Sequence, residues 1–553
     1  MFPSVFEAML RSRRWFHPVL ILLGLLVSLV FGAVRHFDFV RWDDDINITE
    51  NQLITEPWSA DLAAKLFTAD HAMRFKPVYW LCCRMIYTLA GFNPVAWHLF
   101  ALGLHVLAVM LLAVVLRRVL SLVNSEPDWR TDLFALLGAA VWAVHPLRAE
   151  TVAWATATTY PLTGVWLLAS FICILQSNHD KNRRVGWLFA AWVLSLLGYG
   201  SYPVGVTYGI LLVVFDLWMR HRGLAQDSPQ QVRWWIKHAL FLLPALLAVG
   251  ITIWTRYTAP GIFSEAPDIT VIGPLIRVIV ALGTISVLAW QLLWPVELTP
   301  NLPPINFPVT GHPWIISGAI MAVIAVWAGW RWRKEYPGVT LVILGFSVVS
   351  IPCLGLTERP NWPVDRYSYL AHMILIGGIA AGLLRWPKRM TAVITGLIVM
   401  VIGLEIAATR VQLLFWRDSE SLFTHMEAHA DFADNPRQQA HVYILWAGYL
   451  ITRNESERAA QKYNQAQVVY LEAIKIALAH ENYAEALALL SHQEHHFGLT
   501  PTYRREQGAW LLRLGRPHEA MKALHSAMIS LPDDVRLQSL LLEAKSQLVA
   551  ESK

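Results

Sequence analysis

Residues 17–34 read HPVLILLGLLVSLVFGAV, an apolar run that contains no Asp, Glu, Lys or Arg. A run of about 18 apolar residues is long enough to cross the hydrocarbon core of a bilayer as a helix. Arg11, Arg13 and Arg14 precede the run, and no A-x-A-like cleavage site follows it. We therefore expect a retained first membrane span whose N-terminal end faces the cytoplasm.

The composition of the whole chain is that of a polytopic membrane protein. Of the 553 residues, 55% are hydrophobic and 15% are charged, whereas a soluble protein of this size carries roughly a quarter charged residues. The net charge of +5 is too small to suggest a nucleic-acid partner. The 4 cysteines lie in apolar stretches without metal-ligand spacing, so neither a disulfide framework nor a zinc site is predicted.

Further apolar segments follow the first and predict additional membrane helices. They lie near 93–116, 133–146, 160–176, 186–200, 203–218, 237–256, 273–294, 313–330, 338–355, 367–385 and 390–408. Clusters of Lys and Arg recur at alternate ends, as expected of cytoplasmic loops. Segment 273–294 breaks this alternation, and the proline-rich run that ends it, 292–308, predicts that it lies in the interface or re-enters. We therefore expect about eleven spans.

The composition changes to that of a soluble helical protein near residue 430. NYAEALALL at 482–490 and RPHEAMKAL at 516–524 are related by a shift of 34 residues, the period of tetratricopeptide repeats. The predicted fold is therefore all-α, with the repeats on the extracytoplasmic side. Its predicted parts are a membrane module at 1–410 with an outer loop at 35–92, a linker at 411–440 and a repeat domain at 441–553.

Three consecutive acids stand beyond the outer end of the first span. RWDDDINITEN at 41–51 contains Asp43, Asp44 and Asp45. Carboxylates that converge raise one another's pKa, which suits a general base for a hydroxyl group. Carboxylate oxygens also bind divalent cations, so the sequence is compatible with such a cation as a cofactor. The alternative is a solvated loop that begins where the membrane ends.

Two further motifs place basic groups on the same predicted side. FKPVYWLCCRMIY at 75–87 reads as an amphipathic surface helix, in which Lys76 and Arg84 either bind a lipid phosphate or extend towards anionic headgroups. In WPVDRYSYL, Asp365 and Arg366 either pair with each other or hold an anionic ligand, because a guanidinium binds phosphate through two parallel hydrogen bonds.

A third motif, AVHPLRAETVAW at 143–154, packs His145, Arg148 and Glu150 at the end of an apolar helix. Ionisable groups at a membrane boundary are candidates for function, although a capped helix end explains them equally well.

The order of these motifs resembles the family of transmembrane and tetratricopeptide-repeat (TMTC-like) glycosyltransferases, whose animal members are O-mannosyltransferases. The resemblance covers essentially the whole chain. It implies a GT-C fold with an active site at the outer face, and a sugar donor linked to a polyprenyl phosphate. It further implies an integral membrane protein with its C-terminal repeats in the periplasm or the ER lumen, where they would bind a protein acceptor or partner.

Family motifs match this sequence residue by residue and so imply roles. The resemblance implies catalytic acids at Asp43, Asp44 and Asp45. It implies that Lys76, Arg84 and Arg366 bind the donor phosphate. It implies a supporting pocket of His98, His145, Arg148, Glu150, Tyr160, Tyr202, Asp365 and Tyr367.

Two positions depart from the family pattern. Tyr160 stands where relatives commonly carry an acid, and Tyr202 stands where they commonly carry a lysine. Losing both partners of a buried charge pair can be neutral, whereas losing one leaves an unpaired charge. The pair of changes is therefore compatible with a changed sugar or lipid preference. It is also compatible with the alternative function, a catalytically inactive scaffold that binds a partner through its repeats. A channel or transporter fits less well, because the ionisable groups gather on one side.

Overall fold

A computed structural model describes residues 15–68, 74–124, 128–224, 231–258, 273–295, 298, 313–356, 364–429 and 436–551. Within these residues the chain forms α-helices and short 3-10 or π segments and no β-strand, so the all-α prediction is confirmed. Residues 299–308 of the proline-rich run and residues 357–363, which precede the Asp365 turn, lie outside the described part of the chain. The chain divides into two compact units, one up to His425 and one from Met426 onward.

In the first unit, helices correspond to all the predicted apolar segments. They are α1 (Phe16–Phe31), α2 (Gln52–Thr55), α3 (Ala60–Phe67), α4 (Pro77–Ala90), α5 (Pro94–Val123), α6 (Trp129–Val144), α7 (Arg148–Ala153), α8 (Thr159–His179), α9 (Arg184–Ser201), α10 (Tyr208–His221), α11 (Val232–Thr258), α12 (Pro274–Gln291), α13 (Pro313–Arg331), α14 (Pro337–Ser350), α15 (Ser368–Leu384) and α16 (Thr391–Phe415), followed by α17 (Ser419–Ala428).

Among the described residues, 8 segments are long and apolar enough to cross a membrane, so the chain is an integral membrane protein. They are Phe16–His36, Pro94–Val123, Ala155–His179, Pro203–His221, Val232–Trp254, Pro274–Gln291, Asp365–Leu384 and Lys388–Phe415. Shorter apolar helices are found at Ile315–Arg331 and Pro337–Cys353. Pro274–Gln291 is long and apolar enough to be a membrane span, so the helix does not support the expectation that this segment lies in the interface.

Short helices and turns connect the spans at one end of the first unit, and they carry the candidate site. Asn93 and Pro94 begin α5, with the Asn93 side chain accepting from the backbone N–H of Val95 at 3.1 Å, a typical N-cap. Gly200 lets the end of α9 approach the start of α4, because a Cβ at this position would lie 2.8 Å from the Val78 side chain. This close approach places Tyr202 beside the segment that contains Lys76.

The second unit contains α18 (Pro436–Thr452), α19 (Ser456–Ala479), α20 (Tyr483–Phe497), α21 (Pro501–Arg513), α22 (Pro517–Met528) and α23 (Val535–Glu551), each packed against the next. Ala486 and Ala520, the alanines related by the shift of 34 residues, are both fully buried. Gly508 in α21 meets Leu524 of α22, where a Cβ would lie 2.4 Å from the leucine side chain. Small residues thus form the helix contacts in this unit, as a repeat domain requires; its tetratricopeptide identity stays a prediction.

Candidate active site

The middle acid of the DDD motif is held in place by hydrogen bonds. Asp44 is fully buried, and its Oδ1 accepts from the backbone N–H of Thr156 at 2.9 Å and from the Thr156 hydroxyl at 2.7 Å. Its Oδ2 accepts from the N–H of Val40 at 3.0 Å. These bonds connect the first outer loop to the 3-10 segment Ala155–Thr158 that precedes α8. Asp44 therefore fixes the position of its neighbours.

The first acid of the motif is left unbonded. The side chain of Asp43 forms no hydrogen bond or ion pair with any residue in the described part of the chain, whereas its backbone carbonyl accepts from the Asn47 backbone N–H at 2.8 Å and from the Asn47 side chain at 3.1 Å. Its φ of 113° lies in a region that residues other than glycine rarely adopt. Such strain persists only where the surroundings enforce it, and it clusters at active sites.

Three cations exert an electrostatic effect on this carboxylate. The charges of Arg366, Lys76 and Arg74 all act on Asp43 and favour its ionised form. Lys76 is 4% exposed, donates to the Asn47 side-chain oxygen at 3.0 Å and lies 4.2 Å from the centre of the Trp80 ring. The fold therefore brings residues that are more than 300 positions apart in the sequence into one electrostatic group.

Arg366 enters this group already paired with an acid. Its guanidinium donates to Glu150 Oε1, and its backbone N–H donates to Glu150 Oε2 at 2.7 Å. The guanidinium also lies 5.1 Å from the centre of the Trp154 ring and 5.5 Å from that of Tyr367. Because Glu150 is 1% exposed, this ion pair is screened little by water and fixes the cation firmly.

Burial shifts the pKa values of the central groups towards neutrality. Burial raises the pKa of Asp43 to about 6, against the lowering effect of Arg366, Lys76 and Arg74. It raises the pKa of Asp44 to about 7, although the hydrogen bonds from Thr156 and Val40 oppose the shift. It lowers the pKa of Lys76 to about 7, with a further lowering from Arg74. Both candidate acid–base groups and the lysine thus titrate near physiological pH.

The two phenols that depart from the family pattern lie together beside this group. The ring centres of Tyr160 and Tyr202 are 5.1 Å apart, and Tyr160 is 2% exposed. Arg74 donates to the Tyr202 hydroxyl and lies 5.6 Å from the centre of its ring. The prediction that the two positions form a linked pair agrees with this geometry.

Sequence reasoning did not identify Arg74 or Thr156, although both contact the predicted site residues. Arg74 stands two residues before Lys76, in the same FKP region, so its proximity to the motif was the available signal. Thr156 was not recognisable, since nothing in its sequence context separates it from neighbouring threonines.

Several predicted site residues have other partners. Arg84 donates to the backbone carbonyls of Leu53 at 2.6 Å and Glu56 at 2.7 Å, so it anchors the outer loop and does not join the cations around Asp43. Asp45 lies 3.4 Å from Arg41 in an ion pair. These contacts argue against a donor-phosphate role for Arg84, which had rested on its position in the motif.

The remaining supporting residues have hydrogen-bond partners other than Asp43. The buried His98 ring nitrogen Nε2 lies 3.3 Å from the Asp38 carbonyl. His145 Nε2 lies 3.2 Å from the Leu292 carbonyl. Arg148 donates to the Ser368 hydroxyl at 2.5 Å. Asp365 is 3% exposed and begins the 3-10 turn Asp365–Tyr367 that carries Arg366.

Among the described residues, no group of three or more His, Cys, Asp or Glu side chains has the spacing of a metal site. The acids of the DDD motif that are not committed to Thr156 are Asp43 and Asp45, and the charge of Asp45 acts on Asp43. Because Asp45 is paired with Arg41, Asp43 is the acid of the motif that remains to bind a divalent cation, and such a cation stays a prediction.

No family model matches the chain. It is 26% identical over 310 residues to "Protein O-mannosyl-transferase TMTC4" of Mus musculus, which covers 50% of this chain and 42% of that protein. It is 24% identical over 213 residues to "Protein O-mannosyl-transferase TMTC4" of Homo sapiens, a match that covers 36% of this chain and 29% of that protein. It is 24% identical over 252 residues to "Protein O-mannosyl-transferase TMTC3" of Mus musculus, which covers 40% of this chain and 25% of that protein. The chain thus spans less than half the length of these relatives.

Among solved structures, ArnT from Cupriavidus metallidurans in the apo state matches 90% of this chain and 80% of its own at 16% identity, with a TM-score of 0.37 that adds nothing to the fold assignment. The resemblance that the motif order predicted is confirmed by the sequence similarity to the TMTC proteins.

Proposed function

We propose that this chain, whose sequence resembles the TMTC O-mannosyltransferases, is a membrane glycosyltransferase that moves a mannose-like sugar from a polyprenyl-phosphate donor to a protein hydroxyl at the extracytoplasmic face. The observation that carries the proposal is the Asp43 carboxylate, which has no hydrogen bond within the described structure and is surrounded by the charges of Arg366, Lys76 and Arg74. A base and an anion-binding group in one place are what this transfer requires.

In the proposed reaction Asp43 is the general base. The acceptor hydroxyl loses its proton to the Asp43 carboxylate while its oxygen bonds to the anomeric carbon. The bond from that carbon to the phosphate oxygen breaks, and its electron pair leaves with the polyprenyl phosphate. Attack from the face opposite the phosphate inverts the anomeric configuration. Asp44 positions the base, because its three hydrogen bonds hold the adjacent backbone.

The cations bind the phosphate and stabilise the charge that it gains on leaving. Charge stabilisation of this kind, in a site that excludes water, contributes about 3–4 kcal/mol per group. Lys76 and Arg74 supply charges on the side of α4, and Arg366 supplies one from the turn before α15. Arg366 keeps its geometry without the donor, because Glu150 already binds it.

An apolar cavity of about 600 Å³ in the first unit suits the polyprenyl chain of the donor. Its lining includes Val204, Gly205 and Thr207, which follow the site residue Tyr202, and it continues between membrane helices to Arg222 and Arg385. A lipid with its phosphate near Lys76 would have this space for its chain.

The second unit is proposed to bind the protein acceptor. Its successive helix pairs are the arrangement in which repeat proteins present an extended concave surface. The predicted topology assigns these repeats to the extracytoplasmic side.

The test is a transfer assay with the purified full chain, polyprenyl-phosphate sugars and candidate acceptor proteins. Asp43→Asn should reduce kcat/KM by at least about 100-fold, because an amide cannot take the proton. The matched control is Asp61→Asn, a substitution of a 73%-exposed acid in the same outer loop. Equal turnover of Asp43→Asn and the parent chain would remove Asp43 from the mechanism. Absence of transfer by the parent with every donor would favour the scaffold alternative.

A further inference from the structure

A second buried cluster of charged groups lies apart from Asp43, between α7, α15 and α16. Its centre is Arg148, which is fully buried and lies 5.4 Å from the centres of both the Trp142 and the Tyr369 rings. The charges of Asp365, Glu405 and Glu150 all act on this guanidinium. An arginine is rarely fully buried unless neighbouring groups satisfy its donors.

Only part of the Arg148 guanidinium is hydrogen-bonded. Nη2 donates to the Ser368 hydroxyl at 2.5 Å and to His372 Nδ1 at 3.4 Å. His372 Nε2 lies 2.7 Å from the Leu288 carbonyl, which can only accept, so this nitrogen carries the proton and Nδ1 is free to accept from Arg148. Nε and Nη1 of Arg148 have no hydrogen-bond partner among the described residues, and both atoms are buried.

Two buried acceptors in the same cluster also lack partners. Asp365 Oδ1 and Glu405 Oε2 form no hydrogen bond with any described residue. Neither carboxylate forms an ion pair with Arg148 within 4.0 Å, although the charge of each acts on it. His145 does not satisfy Glu405 either: its Nε2 donates to the Leu292 carbonyl at 3.2 Å and is 4.0 Å from Glu405 Oε1. Unpaired donors and unpaired acceptors therefore belong to one electrostatic cluster and do not bond one another directly.

We propose that ordered water molecules occupy this cluster and bridge Arg148 to Glu405 and Asp365. Water fits because it both donates and accepts, and buried waters typically make about three hydrogen bonds to groups that would otherwise be unsatisfied. A bound cation would face the Arg148 charge, and a bound anion would face two carboxylates. An arrangement of unpaired donors opposite unpaired acceptors thus selects water over either ion.

The hydrated cluster also positions the turn that carries Arg366. Ser368 accepts from Arg148 and donates to the Asp365 backbone carbonyl at 2.6 Å, so the guanidinium is connected through one hydroxyl to this turn. Arg148 is then a positioning residue for Arg366, and this consequence rests on the proposed function. The water site itself does not.

The direct test is a high-resolution cryo-EM map of the full chain in a lipid nanodisc. We expect ordered density about 3 Å from Arg148 Nη1 or Nε and from Glu405 Oε2 or Asp365 Oδ1. A map in which the guanidinium contacts either carboxylate directly, or in which no density separates them, overturns the proposal.

A double-mutant cycle tests the same coupling in solution. Arg148→Met and Glu405→Leu should each lower Tm, because each leaves a buried charge unpaired, and the double variant should lose less than the sum of the two shifts. The control cycle combines Arg148→Met with Asp61→Asn in the outer loop, and its shifts should add. Additive shifts for Arg148 and Glu405 contradict the bridge. Should Arg148→Met fail to fold, Arg148→Gln, which also removes the charge, replaces it in both cycles.

The positioning role has its own readout. Arg148→Lys should raise KM for the donor more than it lowers kcat, since the chemistry at Asp43 is untouched and the phosphate-binding Arg366 is displaced. An unchanged KM contradicts the positioning role while leaving the water site standing. If the parent chain shows no transfer, the proposed function fails. The cryo-EM map and the Tm cycle then still test the water site.

Discussion

Adjacent residues of one type have different roles in the first outer loop. Asp43 and Asp44 have the same side chain and neighbouring positions, yet one carboxylate is unbonded and the other accepts three hydrogen bonds. An acceptor with three donors is a structural group, because its loss leaves those donors buried and unpaired. A carboxylate without donors is available to a substrate.

This difference predicts opposite effects on stability. Asp44→Asn presents an NH₂ group to N–H or O–H donors and should destabilise the fold by about 1–3 kcal/mol. Asp43→Asn removes a half-buried charge that makes no hydrogen bond within the described structure and should leave Tm unchanged or raise it. Thermal unfolding of the detergent-purified chain measures both. The assignment is wrong if Asp43→Asn is the more destabilising of the two.

The pH dependence of transfer follows from the same residues. Asp43 must be ionised to act as a base, so kcat/KM should rise with pH through about 6, the pKa to which burial raises its carboxyl. Lys76 must be protonated to bind phosphate, so kcat/KM should fall above about 7, the pKa to which burial lowers its ammonium group. A bell-shaped profile with a narrow maximum between these values is expected.

Two variants test which residue sets each limb of that pH profile. Asp43→Asn should remove the acidic limb from its residual activity, and Lys76→Arg should shift the alkaline limb upward because guanidinium stays protonated. If the acidic limb persists unchanged in Asp43→Asn, another group is the base.

Asp44 and Lys76 make the stability of the fold depend on pH in opposite directions. Asp44 has a folded-state pKa raised to about 7, so its contribution is fully present below its unfolded value near 3.8 and is lost as pH rises through 7. Lys76 has a folded-state pKa lowered to about 7, so its contribution is present above its unfolded value near 10.5 and is lost as pH falls through 7.

Among helices and loops, hydrophobic periodicity and composition predicted the positions of the helices well, because both are local properties of the sequence. An apolar run such as 17–34 carries its own evidence of a span, and it forms α1. Contacts between side chains that are distant in sequence are not encoded this way. Arg74 and Arg84 are ten positions apart, one on each side of Lys76. The sequence motifs assigned Arg84, and not Arg74, to the donor phosphate. The fold turns Arg84 towards the Leu53 and Glu56 carbonyls and Arg74 towards Tyr202.

This reassignment predicts that two arginine variants behave differently. Arg84→Met removes both hydrogen bonds to the 53–56 segment, each charge-assisted bond contributing about 1.5–3 kcal/mol, and should lower Tm. Arg74→Met should leave Tm within about 2 °C of the parent and should raise the donor KM instead. Unfolding curves and donor titrations on both variants test this. A large Tm loss for Arg74→Met, with Arg84→Met unaffected, would reverse the assignment.

At the scale of the whole molecule, the charge asymmetry of the loops predicts which face meets which compartment. Lys and Arg clusters mark cytoplasmic loops, and the acids of the DDD motif stand at the opposite end of α1. The proposed transfer needs the outer loop on the extracytoplasmic side, because the proposed acceptor is a protein outside the cytoplasm.

Single-cysteine labelling measures this orientation. Asp61→Cys places a thiol on the exposed side of α3 in the outer loop, and Arg333→Cys places one in the exposed basic loop after α13. In a background with Cys82 replaced by serine, a membrane-impermeant maleimide added to intact cells should label Asp61→Cys and leave Arg333→Cys unlabelled until the membrane is permeabilised. Of the native cysteines, Cys83, Cys173 and Cys353 are buried and should react slowly. The opposite labelling pattern places the site in the cytoplasm, where a donor facing outward cannot reach Lys76, and the proposed transfer at the outer face fails with it.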